Sequence, residues 1–244
     1  MGGDDAAETL SEARVQAAAA VRELVHALAG RDADEETLDE VTRTVRALVP
    51  RLDRAPRRAR VIPTFDEISA RPPGDGESRR YAMADRAVVG PANPTSIDVL
   101  STRRDGDELV TEVMFGPAFE GALGRVHGGM VAAAFDDLTG FVLAFVGQPG
   151  FSGRLDVTFR APVPTEVPIE FRVRLRERQG RKLFVEGEAT LDGQVLATAE
   201  VVMITVGQEH FETHAQELLA RDPTEASDRG AGTLRRSEPT RRDA

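Results

Sequence analysis

The residues best placed for chemistry lie in one stretch, Gly124-Arg125-Val126-His127-Gly128-Gly129, which runs on through Met130 to Asp137. Gly128 and Gly129 read as the opening of a helix. The first backbone N–H groups of a helix have no intrahelical partner, and the helix dipole adds partial positive charge there. Glycine also lets another group approach the backbone closely. Such a turn can hold negative charge that develops on an oxygen during a reaction. Nine positions after His127 stands Asp136, with Asp137 beside it. Both fall in an apolar helix, where an unpaired carboxylate is costly or shifts its pKa. Next to Ala132, Ala133, Ala134 and Phe135, Asp136 is expected to be desolvated and more basic, as suits a general base. Asp137 lies about 100° further round the helix, so the two cannot point into one pocket.

The elements that must position these groups follow from periodicity. The helix is expected to run to about Val146 and to be apolar on nearly all sides, hence buried. Its roughly 18 residues span about 27 Å, and its two acids argue against a membrane span. From Ser96 the pattern turns to strands: Ile97 to Thr102, a turn at Asp105-Gly106, then Leu109 to Phe115. After the helix, Leu155, Val157 and Phe159 alternate with Asp156, Thr158 and Arg160. Ile169, Phe171, Val173 and Leu175 alternate with charged residues in the next segment. Lys182 to Leu191 and Val195 to Val206 follow, joined by the Asp192-Gly193 hairpin turn. Period-two alternation gives an antiparallel sheet with one buried face. The helix is the one element long and apolar enough to cover that face, so the sheet must curl round it: an α+β architecture.

Composition narrows the function. The chain has 244 residues, a net charge of −10, no cysteine and four histidines, His26, His127, His210 and His214. The acidic balance disfavours nucleic acid as a partner. Without cysteine there is no disulfide framework or thiolate chemistry, and the few histidines disfavour a histidine metal site; no cofactor or metal is expected. The N-terminus lacks the basic flank and apolar core of a signal peptide, so a soluble cytoplasmic protein is expected.

Residues 1–60 read as an N-terminal extension. Residues 1–9 are expected to lack structure. Leu10, Ala17, Val21, Leu24 and Leu28 form a helical stripe ended by Gly30, weakened by Arg14. Asp34 caps a second helix with its stripe at Leu38, Val41, Val45 and Leu48, stopped by Pro50. The pair reads as a helical hairpin for packing or oligomerisation, dispensable for chemistry. Five arginines against eleven acids in residues 1–50 argue against a DNA reader. Residues 51–60 are a basic linker and 71–78 a polar loop; Pro91 and Pro94 bracket irregular chain. Residues 61–206 form the main domain. Residues 207–244 hold a short helix anchored by Phe211, Leu218 and Leu219, then a disordered tail from 221.

A helix wrapped in a curled antiparallel sheet is the hotdog fold. Val126-His127-Gly128-Gly129, with Asp136 nine positions after the histidine, resembles the signature of the PaaI-like acyl-CoA thioesterases of the 4-hydroxybenzoyl-CoA thioesterase superfamily. Leu155 to Pro162 and Gly180 to Phe184 add to the resemblance, which covers about residues 88–206. It implies an acyl-coenzyme A substrate, hydrolysis without a metal, and an oxyanion hole at Gly128 and Gly129. It implies Asp136 as the catalytic carboxylate, as base or as nucleophile. His127 either contacts substrate or orients the turn. Ser152 falls where relatives often place a residue that orients water or the carboxylate. Arg160, Arg181 and Lys182 are candidates for the coenzyme A phosphates. Arg160-Ala161-Pro162 stands where many members have Arg-Pro, a departure that bears on Arg160.

Gly128 and Asp136 are eight residues apart, about 12 Å along a helix axis, so one chain does not easily bring both to one carbonyl. A homodimer or homotetramer with the site shared between subunits is expected. A non-catalytic acyl-CoA sensor or carrier is the alternative. A hotdog hydratase would want Asp and His five residues apart, and both positions five from His127 are alanine.

Overall fold

The computed structural model describes residues 4–56, 84–211 and 213. Helices α1 (Asp4–Gly30) and α2 (Glu35–Asp53) precede strands β1 (Asp98–Asp105) and β2 (Glu108–Met114). A 3₁₀ turn (Pro117–Phe119) and the short strands β3 (Glu120–Ala122) and β4 (Arg125–Val126) lead into α3 (Gly128–Thr139) and α4 (Val142–Val146). Strands β5 (Gly150–Phe159), β6 (Pro168–Gln179), β7 (Lys182–Leu191) and β8 (Gln194–Thr205) complete the chain order. The long strands make one antiparallel six-stranded sheet, ordered β1-β2-β6-β7-β8-β5. The fold is the expected hotdog. The β3–β4 ribbon was hidden in what the sequence shows only as a glycine-rich turn.

Alternation decides which side of the sheet meets the helix. In β6 and β7, Ile169, Phe171, Val173, Leu183, Val185 and Ala189 are all buried, while most of their neighbours are charged and Phe184 stands half-buried on the outer face. Val131, Ala134, Phe135 and Leu138 of α3 fill that concave side. Phe135 meets Phe171 edge-on with ring centroids 4.9 Å apart. Gly187 makes this contact possible, because a Cβ there would stand 2.9 Å from the Phe135 ring. On the outer face Arg172 bonds Glu170 and Glu108 and Arg174 bonds Glu186, so the exposed ladder neutralises itself across strands. The hairpin at Asp192-Gly193 has both residues at positive φ, 50° and 78°, as its type I′ sequence demands.

The central helix differs from expectation twice. It is not continuous to Val146: α3 ends at Thr139 and α4 begins at Val142. Nor is it buried all round. His127, Gly129 and Asp136 are exposed and Ala132 and Ala133 half-buried, so one flank of α3 faces outward. By length and apolarity 128–146 would pass as a membrane-crossing helix, the one such stretch among the described residues. Its Val131, Phe135 and Leu138 are nevertheless at most 1% exposed inside the sheet.

The N-terminal helices also depart from their pattern. α1 is helical from Asp4, within the stretch expected to lack structure. It docks through Val15, Ala18, Arg22 and His26, while of the expected packing stripe Ala17 is exposed, Val21 and Leu28 are 45% and 43% exposed, and Leu24 is half-buried. Arg22 is held by the Pro91 and Asn93 carbonyls and by Asp98. Its fork of donors is satisfied by backbone far away in sequence, which hydrophobic periodicity does not register. α2 buries none of its residues, so the two helices do not close into a packed hairpin. Asp34 caps it as expected, taking the Thr37 N–H at 2.8 Å. Pro50 does not stop α2, which runs on to Asp53; the Pro50 carbonyl takes the Arg54 guanidinium instead. The 71–78 loop, residues 57–60 of the basic run, Leu218, Leu219 and the tail lie outside the described residues, as does the boundary at 60/61.

Candidate functional site

The glycine turn is fixed from three directions before the helix begins. Val126 N–H donates to the Val163 carbonyl at 2.9 Å and His127 N–H to the Phe119 carbonyl at 2.8 Å. The His127 carbonyl then accepts from Met130 at 2.8 Å, which starts α3. His127 is the N-cap: its Nδ1 accepts the Gly129 N–H at 3.0 Å. This resolves the turn more finely than its sequence. Gly129 is satisfied within its own turn, whereas the Gly128 N–H donates to no acceptor among the described residues. With Nδ1 accepting, the neutral imidazole carries its proton on Nε2, where it can donate outward.

Beside the turn lies a hollow of about 350 Å³ lined by Gly128, Val131, Phe159, Arg125, Arg160 and the chain through Val163. Phe159, expected to point inward, is 51% exposed and its ring stands against Gly128. Arg125 and Arg160 are exposed, and neither forms an ion pair among the described residues. The sequence pattern alone assigns Arg125 no role. The signal available was its place three residues before the glycine pair, but lone arginines are common and only the fold brings it to Arg160. A larger hollow, about 460 Å³, opens on the outer sheet face, but Arg172 and Arg174 in it are already committed to carboxylates.

The two aspartates separate as the helical period requires. Asp137 points into the body of the fold. Its Oδ1 meets Arg86 at 2.7 Å and its Oδ2 takes the Val89 N–H at 3.0 Å. Arg86 also lies over the Phe141 ring, 5.2 Å from its centroid. Asp136 lies on the outward flank with Gly129, Ala132 and Ala133, and its side chain is exposed. The desolvation expected for it is therefore absent in a single chain. The apolar neighbours in sequence point elsewhere, Ala134 and Phe135 into the core.

The remaining candidates do not gather round Gly128. Ser152 is exposed near the start of edge strand β5, opposite Met203, and forms no hydrogen bond with Asp136. Seven residues of strand separate it from Phe159, about 23 Å. Arg181 and Lys182 sit at the β6–β7 turn, near that same end of β5 through Ile204 and Thr205. Arg181 donates to the Thr205 carbonyl at 3.0 Å, which fastens the sheet corner. So Arg160 stands at the glycine end while Ser152, Arg181 and Lys182 stand at the other. Among the described residues no group of three or more His, Asp or Glu side chains is placed to share a metal ion.

Comparison with known proteins agrees with this architecture. Residues 123–198 match the model of the thioesterase superfamily. A crystallised thioesterase superfamily protein, 25% identical, superposes with a TM-score of 0.63 over 78% of this chain and 94% of its own. A phenylacetic acid degradation-related protein from Ralstonia eutropha is 26% identical over 45% of this chain and 84% of its own, TM-score 0.40. A Streptococcus mutans protein bound to acetyl CoA is 16% identical over 46% of this chain and 89% of its own, TM-score 0.42. No curated protein matches the chain. Residues 123–198 thus resemble the thioesterase superfamily in sequence, and the 25%-identical neighbour shares the hotdog architecture of the glycine turn, central helix and sheet.

Proposed function

We propose that the protein is an acyl-CoA thioesterase whose active site is completed by a second copy of the chain. The observation that carries this reading is the pair of unengaged groups on α3: the Gly128 N–H and the Asp136 carboxylate. They are eight residues apart on an unbroken helix, about 12 Å. Both must come within about 3 Å of one thioester carbonyl or its attacking water. Two copies of α3 packed antiparallel about a two-fold axis bring the glycine turn of one to the aspartate of the other, giving two equivalent sites. The outward flank suits this, since Gly129, Ala132 and Ala133 are small enough for close helix approach. That contact would also supply the desolvation Asp136 lacks in one chain.

In the proposed reaction Asp136 takes a proton from water as the oxygen attacks the thioester carbon. The carbonyl oxygen becomes an oxyanion held by the Gly128 N–H, with His127 Nε2–H as a further donor. When the C–S bond breaks, the sulfur leaves as thiolate and takes up a proton, giving free acid and coenzyme A. Arg125 and Arg160 supply positive charge for the phosphorylated leaving group in an otherwise acidic chain.

Complementation between two inactive variants tests the shared site. Asp136→Asn removes the carboxylate. Gly128→Pro removes the unengaged donor at the first helical position, which proline tolerates. A mixed dimer then holds one site with both lesions and one with neither. Random mixing makes half of all dimers mixed, so activity should recover to about 25% of wild type. No recovery, with exchange confirmed and the proline variant folded, would mean that each chain builds its own site.

A further inference from the structure

The N-terminal helix α1 is expected from the sequence to be irrelevant to chemistry, yet a continuous stack of contacts joins it to the glycine turn. His26 on α1 accepts the Ala118 N–H at Nδ1, 3.3 Å away, and its ring meets Phe119 edge-on at 5.2 Å. The next backbone atom matters most: the Phe119 carbonyl is the acceptor that fixes the His127 N–H at 2.8 Å. Each layer is closed against the next by a bare glycine. A Cβ on Gly30 would stand 2.9 Å from the Pro117 ring, one on Gly116 2.5 Å from the His26 ring, and one on Gly121 2.7 Å from His127 Cα. Helix, 3₁₀ turn, ribbon and N-cap are thus in direct contact.

We propose that His26 is a positioning residue: through Ala118 and Phe119 it sets where the His127-Gly128 turn points its donors. In its bearing on catalysis the inference rests on the acyl-CoA thioesterase reading above. A histidine that merely fills space accounts less well for the chemistry. With Nδ1 accepting, the proton is on Nε2, and that atom is buried without a hydrogen-bond partner among the described residues. A buried donor left unpaired is unfavourable, so an apolar side chain would fill the space better. What an apolar side chain lacks is the acceptor for the Ala118 N–H. That N–H sits in a turn of three residues, too short to satisfy its own backbone groups.

The test uses the full-length protein with two substitutions at one position and one elsewhere. His26→Phe keeps a ring and loses the acceptor. His26→Asn loses the ring but places an amide oxygen where Nδ1 was. Gly30→Ala presses on Pro117 and leaves His26 untouched. Amide hydrogen exchange at His127 and kcat and KM for an acyl-CoA are read together. His26→Phe should speed exchange at His127 and lower kcat, each by about 10-fold, with KM within about 2-fold and β7 amides unchanged, because only the aim of the donors moves. His26→Asn should recover most of both, and Gly30→Ala should act like His26→Phe.

Unchanged His127 exchange in both His26→Phe and Gly30→Ala overturns the proposal, as does an asparagine variant no better than the phenylalanine one. If His26→Phe fails to fold, Gly30→Ala and His26→Asn decide. If wild type hydrolyses no acyl-CoA, the thioesterase reading fails, while exchange at His127 still decides whether the brace exists.

Discussion

The two flanks of α3 are set apart by a single residue step. On one flank Asp137 is bound by Arg86 and the Val89 amide, and its side chain is only 16% exposed. Those bonds tie the chain around residues 86–89 to the middle of the central helix. On the other flank Asp136 has no side-chain partner among the described residues and stands in a strip of small residues open to solvent. A carboxylate used for structure is one whose oxygens are satisfied. A carboxylate available for chemistry must keep an oxygen free, and of these two aspartates Asp136 does so in a single chain.

Exchanging the two roles is the most direct way to break this comparison. Asp136→Asn should lower kcat for acyl-CoA hydrolysis by about 100-fold or more, because size is kept and the base is lost. It should leave unfolding by denaturant almost unchanged. Asp137→Asn should do the reverse: about 1–3 kcal/mol of stability lost, because Arg86 keeps a partly buried charge without its carboxylate, and kcat of the folded fraction within a few-fold. Kinetics beside urea unfolding separates the outcomes. A large kcat loss in Asp137→Asn alone would move the reactive carboxylate to the other flank.

The arginines sharpen the same contrast between engaged and available groups. Arg125→Ala combined with Arg160→Ala should raise KM for acyl-CoA by about 10-fold, with kcat little changed and the salt dependence of kcat/KM flattened, as expected when attracting charges are removed. Arg181→Ala should instead loosen the β6–β8 corner and show in thermal unfolding more than in KM. Equal KM effects from both would mean that the coenzyme spans both ends of the sheet.

The smallest effect belongs to the helix outside this machinery. Asp34 is held below the usual carboxylate range, first by the Thr37 backbone N–H and then by the Thr37 side chain. A depressed folded pKa means the cap contributes stability above the unfolded value of 3.8 and loses it as pH falls through the lower folded value. Acid titration followed by helical signal should show a small loss below pH 3.8 that Asp34→Ala removes. Activity, if measured after return to neutral pH, should not follow it.

Much of this was legible in the residues. Alternation in β6 is unambiguous because each buried residue from Ile169 to Val173 has a charged neighbour, and Asp192-Gly193 names its own turn. The 100° step between Asp136 and Asp137 follows from helical geometry, so their divergence needed no coordinates. The docking face of α1 was not legible. Arg22 and His26 count as polar in any periodicity, and their partners lie at Pro91, Asn93, Asp98 and Ala118.

By itself the sequence determined the pattern of the six long strands, the Asp192-Gly193 turn and the placing of Gly128, Asp136 and Asp137 on one helix within a hotdog architecture. These are local properties, set by side-chain period, backbone freedom and capping within a few residues. Only the tertiary structure decided that Gly129 is capped by His127 while the Gly128 N–H stays unengaged. It alone gave Asp137 to Arg86, exposed Asp136, and placed Arg125 and Arg160 at one end with Ser152 and Arg181 at the other. The physical reason is that hydrogen bonds and burial depend on what stands opposite a group in space. For these residues that is set by how the sheet curls round α3 and by where α1 lands.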